Sequence, residues 1–490
     1  MKAELITKNS HLAVGQLSRN KGSGLIEILI ALAVLSLSIG AVILLTFANQ
    51  NLKVDVETNN EGVSIAQGLI EDLRAQARQD FGSVVTVAPT TPDGYYTRGA
   101  VVTNIDFFTK LITSTATWYE SATRPVTVTF STVVTDPETA IGGDTCTDEF
   151  IGDWSNPQRL GYGDITSNTG ATGLDAFNHK VYLTTDPSGG PQDDFYIFDV
   201  SDPSPPGNDL PILGSLDTTY GLEDVRVAGR YVYVVAADTW TVQLLTIDAL
   251  NSANPVIVAQ LDVTAPGIDG YGNTLAYSDG KIYLGLTKSA GPELHVIDVS
   301  NPVSPSVIGT LETNSAVNHI VIDRDNDLAY LAVASSTAGQ LWKVDISNPA
   351  SPAVLQKFLP GASNWVGQGV ALSKTTSDIF LGRINTVGPT AVDLYVLDSA
   401  DITQPPLDTV TQTKDDGFMR MVIRSGLLLA SNNQPNLGFQ VWNVADPTNL
   451  TMLGSVNIQQ ASTAGMDCEG ETIFIGQRSN RALQIIGPGL

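Results

Sequence analysis

The chain has 490 residues, more than one ordinary hydrophobic core can organise, so two or three domains are expected. Its 42% apolar and 16% charged content fits β-rich globular material, and a net charge of −25 argues against nucleic acid as a partner. The two cysteines, Cys146 and Cys468, have no Cys-x-x-Cys spacing and no histidine nearby; a zinc ribbon is excluded, leaving one disulfide or two free thiols.

Residues 1–22 carry Lys2, Lys8, Arg19 and Lys21 against Glu4 alone, and no apolar stretch precedes Gly22. Ile28 to Ala48 then runs without charge, enough for a helix to cross about 30 Å of hydrocarbon. With the bases on its N-terminal side, the positive-inside rule keeps the N-terminus cytoplasmic and exports the rest. The expectation is a single-pass membrane protein. Glu27 opens the apolar run, where an unpaired carboxylate is costly; it either stays wet among the headgroups or has a partner.

The stretch Lys21-Gly22-Ser23-Gly24-Leu25-Ile26-Glu27-Ile28 resembles the prepilin signal of type IV pilins and type II secretion pseudopilins. The resemblance implies cleavage after Gly22 by prepilin peptidase, with Ser23 as the methylated first mature residue. Ser23 departs from the family's usual phenylalanine, and cutting after Gly24 would put Glu27 third instead of fifth, which favours Gly22. In that family the glutamate neutralises the terminal amine of a neighbouring subunit, which gives Glu27 its partner. Other pilin subunits and an inner-membrane assembly platform are the further partners implied.

Val63, Ala66, Leu69, Ile70, Leu73 and Ala77 recur at helical spacing, with Glu71, Asp72, Arg74 and Arg78 opposite. One long helix from about residue 25 to 80, stopping near Gly82, is therefore expected, roughly 80 Å in length. Ala100 to Ile105, Leu111 to Tyr119 and Val126 to Val134 read as strands. Their run resembles the hairpin of minor pilins, and Trp118 reads as a core anchor.

Beyond a connector, Phe195-Tyr-Ile-Phe-Asp-Val-Ser-Asp-Pro returns as Leu294-His-Val-Ile-Asp-Val-Ser-Asn-Pro and Leu341-Trp-Lys-Val-Asp-Ile-Ser-Asn-Pro. Weaker copies begin at Leu244, Leu394 and Phe439, so the units recur every 45 to 53 residues. Four strands per unit make a propeller blade. The pattern resembles the LVIVD repeat family of β-propellers. Asp153-Trp-Ser-Asn-Pro supplies the strand that the last unit lacks, so residues 157 to 166 are expected to close blade seven beside Leu483 to Ile486. In that register Cys146 and Cys468 fall at the same end of the ring, and a disulfide between them is expected.

The expected fold class is a long N-terminal helix (a pilin spine) with a small β-sheet head, followed by an all-β seven-bladed propeller. The expected boundaries are a leader at 1–22, a transmembrane and spine helix at 23–82, a pilin-like β domain at 83–136, a linker at 137–152 and the propeller at 153–490. No catalytic set stands out, and the histidines occupy unrelated repeat positions. The recurring Asp199, Asp248, Asp298, Asp345 and Asp398 are better explained by Asx bonds to turn backbone. Asp323, Asp325 and Asp327 resemble the start of a calcium loop but lack its glycine and its later bidentate acid, so calcium is a weak candidate and no other cofactor is implied.

The functional expectation is a minor type IV pilin, not an enzyme, bearing an extracellular propeller at the pilus tip for adhesion or contact with an unidentified ligand or surface. A pseudopilin of a secretion system is the alternative, followed by an anchored extracellular propeller enzyme. The expected location is the membrane before assembly, then the pilus and cell surface.

Overall fold

The computed structural model describes the backbone of residues 23–489 except 80, 93, 105–108, 122, 136–144, 148, 166–169, 187–191, 206–208, 238–240, 265–269, 361–364, 386–391, 413–416, 434–437 and 459–462; within elements, side chains at 23–31, 47–55, 79, 82, 104, 120–121, 145 and 385 are also left out. The chain divides into two compact units, the first ending with Leu111–Thr132 and the second holding Val133–Leu490.

In the first unit the backbone is helical over Ser23–Gln79 and is followed by a four-stranded sheet: Val87–Thr90, Thr97–Asn104, Thr109–Ser121 and Arg124–Thr135, in chain order. Ala66, Leu69, Ile70 and Leu73 are buried, as their spacing predicts. Trp118 is fully buried, and a Cβ on Gly62 would overlap its indole ring, so glycine is what lets helix and sheet approach here. Ser114 Oγ donates to the Ala66 carbonyl at 2.9 Å, which ties the same two elements together.

Two expectations are corrected here. The side chains of the helix are described in two shorter stretches, 32–46 and 56–78. The second stretch carries Glu57, Glu61, Glu71, Asp72, Arg74 and Arg78. Among the described residues no helix is long and apolar enough to cross a membrane, which overturns the single-pass location. The membrane-anchored pilin spine drops out of the fold class with it. What the structure gives is a mostly β protein built of four-stranded blades.

The second unit contains seven blade sheets among the described residues, six of four strands and one of five. Their innermost strands are Ala171–Phe177, Leu222–Ala228, Gly272–Ser278, Val317–Asp323, Trp365–Leu372, Phe418–Arg424 and Thr463–Gly470, blades 1 to 7. Each turns tightly into a second strand; Gly229 and Gly280 adopt φ of 61° and 71° there, a conformation glycine takes without strain. The third strand is the Leu-x-Val-Ile element, whose Leu244, Leu294, Val296, Leu341 and Leu394 are fully buried between blades. Repetition thus places one apolar strand in every inter-blade layer.

The ring closes in blade 7. Asp153–Gly163 pairs antiparallel with Leu483–Gly489, in a register of Leu483 with Gly163 and Ile486 with Arg159. The last sheet therefore gains from the front of the unit the outer strand it lacks, and becomes a full blade like the others. Thr145–Cys146 adds a short parallel strand on the inner side, opposite Glu469 and Gly470. Cys146 and Cys468 are joined by a disulfide, with Cα atoms 5.0 Å apart.

Candidate site at the mouth of the central channel

The innermost strands line a central channel, and comparing them from their hairpin ends shows where the repeats stop repeating. Aligned by their pairing to the second strand, the residues two before each hairpin are Asp175, Arg226, Ala276, Val321, Ala371, Val422 and Asp467, for blades 1 to 7 in turn. Blades 3 to 6 are aliphatic at this level, and blades 7, 1 and 2 are charged. Two residues deeper lie Asp224, Thr274, His319 and Arg420 in blades 2, 3, 4 and 6, with glycines in blades 1, 5 and 7. A cavity of about 490 Å³ opens over the upper level.

These polar side chains bind blade to blade. Asp467 Oδ2 accepts the Ala176 N–H at 2.8 Å, and Asp175 Oδ2 accepts the Val227 N–H at 2.7 Å. Asp224 Oδ2 accepts from Thr274 Oγ1 at 2.9 Å and from the Leu275 N–H at 3.2 Å. His319 Nδ1 accepts the Val370 N–H at 3.2 Å. Apart from the short pairing of Glu469 and Gly470 with Thr145–Cys146 in blade 7, each innermost strand is the inner edge of its sheet, so its N–H groups need partners that the ladder does not supply. Side chains of the neighbouring blade supply them.

The same packing governs protonation. Burial pushes the carboxyls of Asp175 and Asp467 up from their ordinary range, and the charge of Asp467 adds to the rise at Asp175. Burial also works against the charge on Arg226, but Asp224, with its Oδ1 3.0 Å from Arg226 Nη1, and then Asp175 and Asp467 outweigh it and hold that guanidinium's pKa up. His319 is pushed well down by burial and by Arg420 and Arg226, and is neutral, as its role as acceptor requires. Toward the other end of the strand, burial raises Glu223 to about 7 against the pull of Arg478 and Arg420.

The residues singled out from sequence fall elsewhere or serve the turns. Gly22 lies outside the described residues; Ser23 and Glu27 lie in helical backbone without described side chains. Asp199, Asp248, Asp298, Asp345 and Asp398 each accept the N–H two residues on, at 2.8 to 3.0 Å, which is the Asx bond. Asp323 and Asp325 line the cavity, while Asp327 takes the positive-φ position of the hairpin. Among the described residues their oxygens do not gather at ligating distance; the group that does is Cys146, Asp467 and Cys468, where a disulfide occupies both sulfurs. No catalytic set stands out in the sequence, whereas the channel brings His319, buried acids and two arginines close together. Its members come from separate repeats, and only alignment of the innermost strands by their hairpins would have exposed them.

The chain carries the LVIVD repeat. That family's model matches residues 290–313 and 325–359. No curated protein matches the chain. Among solved structures, Sqt1 from Chaetomium thermophilum is similar at 11% identity and a TM-score of 0.45, over 67% of this chain and 83% of that one. The periplasmic gluconolactonase PpgL of Pseudomonas aeruginosa is similar at 13% identity and a TM-score of 0.47, over 61% of this chain and 87% of that one. Neither similarity bears on what this chain does.

Proposed function

We propose that the propeller is a ligand-contact module and that the N-terminal unit carries it as a minor subunit of a type IV pilus-like filament. The observation behind ligand contact is the asymmetry of the channel mouth. At the level two residues before the hairpins the cavity faces Ala276, Val321, Ala371 and Val422 on one side and an acid pair with an arginine on the other, with Asp323, Arg324, Asp325, Lys374 and Arg424 also lining it. The Gly22, Ser23 and Glu27 pattern supports prepilin peptidase and pilin subunits as partners.

Immunogold labelling of the propeller on sheared filaments tests the display; gold confined to cell bodies counts against it. Mass spectrometry of a Gly22→Ala chain is expected to find the leader retained. For the contact surface, Val422→Trp fills the cavity, and loss of capture on glycan and peptide arrays by the full chain is the expected result. A second reading is catalytic, because Asp175 and Asp467, buried acids whose carboxyls are pushed up, line the cavity with Arg226 and could serve acid–base chemistry. Turnover on a panel of chromogenic esters and glycosides that is lost in Asp467→Asn would favour it.

A further inference from the structure

We propose that the Cys146–Cys468 disulfide is a load clamp: it takes tension arriving from the N-terminal side into the innermost strand of blade 7 and keeps it off the strand that closes the ring. The argument is one of chain order. Tension reaching the propeller from the N-terminal side meets Cys146 before Asp153, where the closing strand begins. Asp153 pairs with Gly489, at the extreme end of an antiparallel ladder. Force applied across the end of such a ladder breaks its perpendicular hydrogen bonds one at a time, the weakest way to load it. Without a bond upstream, the seam of the ring would be the first element pulled.

The disulfide changes the path. Cys468 is fully buried on the innermost strand, in the core between blades 6 and 7 that also holds Phe150 and Trp154. The next residue back, Asp467, is bonded to the Ala176 N–H of blade 1. Tension entering at Cys146 is thus passed to a strand packed from both sides. The residues between Cys146 and Asp153 are left unloaded, held by Thr147 N–H to the Gly470 carbonyl at 3.1 Å and Ile151 N–H to Glu471 Oε1 at 3.3 Å. The clamp also closes a covalent loop across a sequence separation of 322 residues, so the blades stay linked even when the seam opens. None of this depends on whether the chain is a filament subunit.

The test is single-molecule stretching of the full chain from its two termini, oxidised and reduced. The reduced chain is expected to show an early step of at most about 60 Å, the extended length of residues 147–163. The oxidised chain is expected to lack that step and to reach a final length roughly 1,100 Å shorter, because the 322-residue loop stays closed. Unfolding of the N-terminal unit, in series in both, is the internal reference. Cys146→Ser, at a half-buried position that leaves Cys468 in the core, is expected to behave like the reduced chain without any reductant. The same early step in oxidised and reduced chains, or its absence from both, overturns the proposal. So does a Cys146→Ser chain that opens first in another blade, seen as unchanged hydrogen-exchange protection of 153–163.

Discussion

Asp194 offers a measurement of how the repeat tolerates charge. It stands immediately before the Leu-x-Val-Ile strand of blade 1, is 1% exposed, and accepts from the Thr218 N–H at 2.9 Å and from Thr218 Oγ1 at 2.5 Å. Blades 2 and 4 put Gln243 and Gln340 in the same place; Gln243 Oε1 accepts the Val263 N–H at 2.9 Å, so a neutral amide does the same work. Burial raises Asp194 from 3.8 to about 6, with the Thr218 bonds opposing. The folded state therefore holds the proton more tightly than the unfolded chain does. Its contribution is fully present below about pH 4 and is lost as pH rises through 6. A shift of that size corresponds to about 3 kcal/mol.

Asp194→Asn removes the titration and keeps an acceptor for Thr218. Urea unfolding from pH 4 to 7 should show the wild-type chain losing about 3 kcal/mol relative to the variant across that window. Asp175, Asp467 and Glu223 also titrate, but they lie in the channel of both proteins and cancel in the difference. Parallel pH curves for the two proteins would refute the reasoning.

Three further outcomes are expected. Reducing the Cys146–Cys468 disulfide should lower stability by about 2–5 kcal/mol, read as a fall in the urea midpoint of the full chain. Gly62→Ala should cost about 1–3 kcal/mol and shift the Trp118 fluorescence, because the added methyl meets the indole ring. Asp298→Ala removes the acceptor that holds the Ser300 N–H at 2.9 Å and should cost about 1 kcal/mol, measured by thermal unfolding.

The sequence alone determined whatever repeats or recurs at short range. Identical Leu-x-Val-Ile-Asp strands can share a core only by stacking sheet on sheet, so the blades and the Asx turns were legible in it. The closing strand was too, since the first and last units are each incomplete without the other. The amphipathic face of Ala66, Leu69, Ile70 and Leu73 was readable for the same local reason. The apolar run Ile28 to Ala48 was misleading about the membrane: among the described residues no helix is long and apolar enough to cross one. Only the tertiary structure decided the channel. Asp175, Arg226 and Asp467 lie in three separate repeats, and ring closure is what brings the first and last blades side by side. Their protonation follows from burial and from one another, two quantities that exist only once the ring has formed.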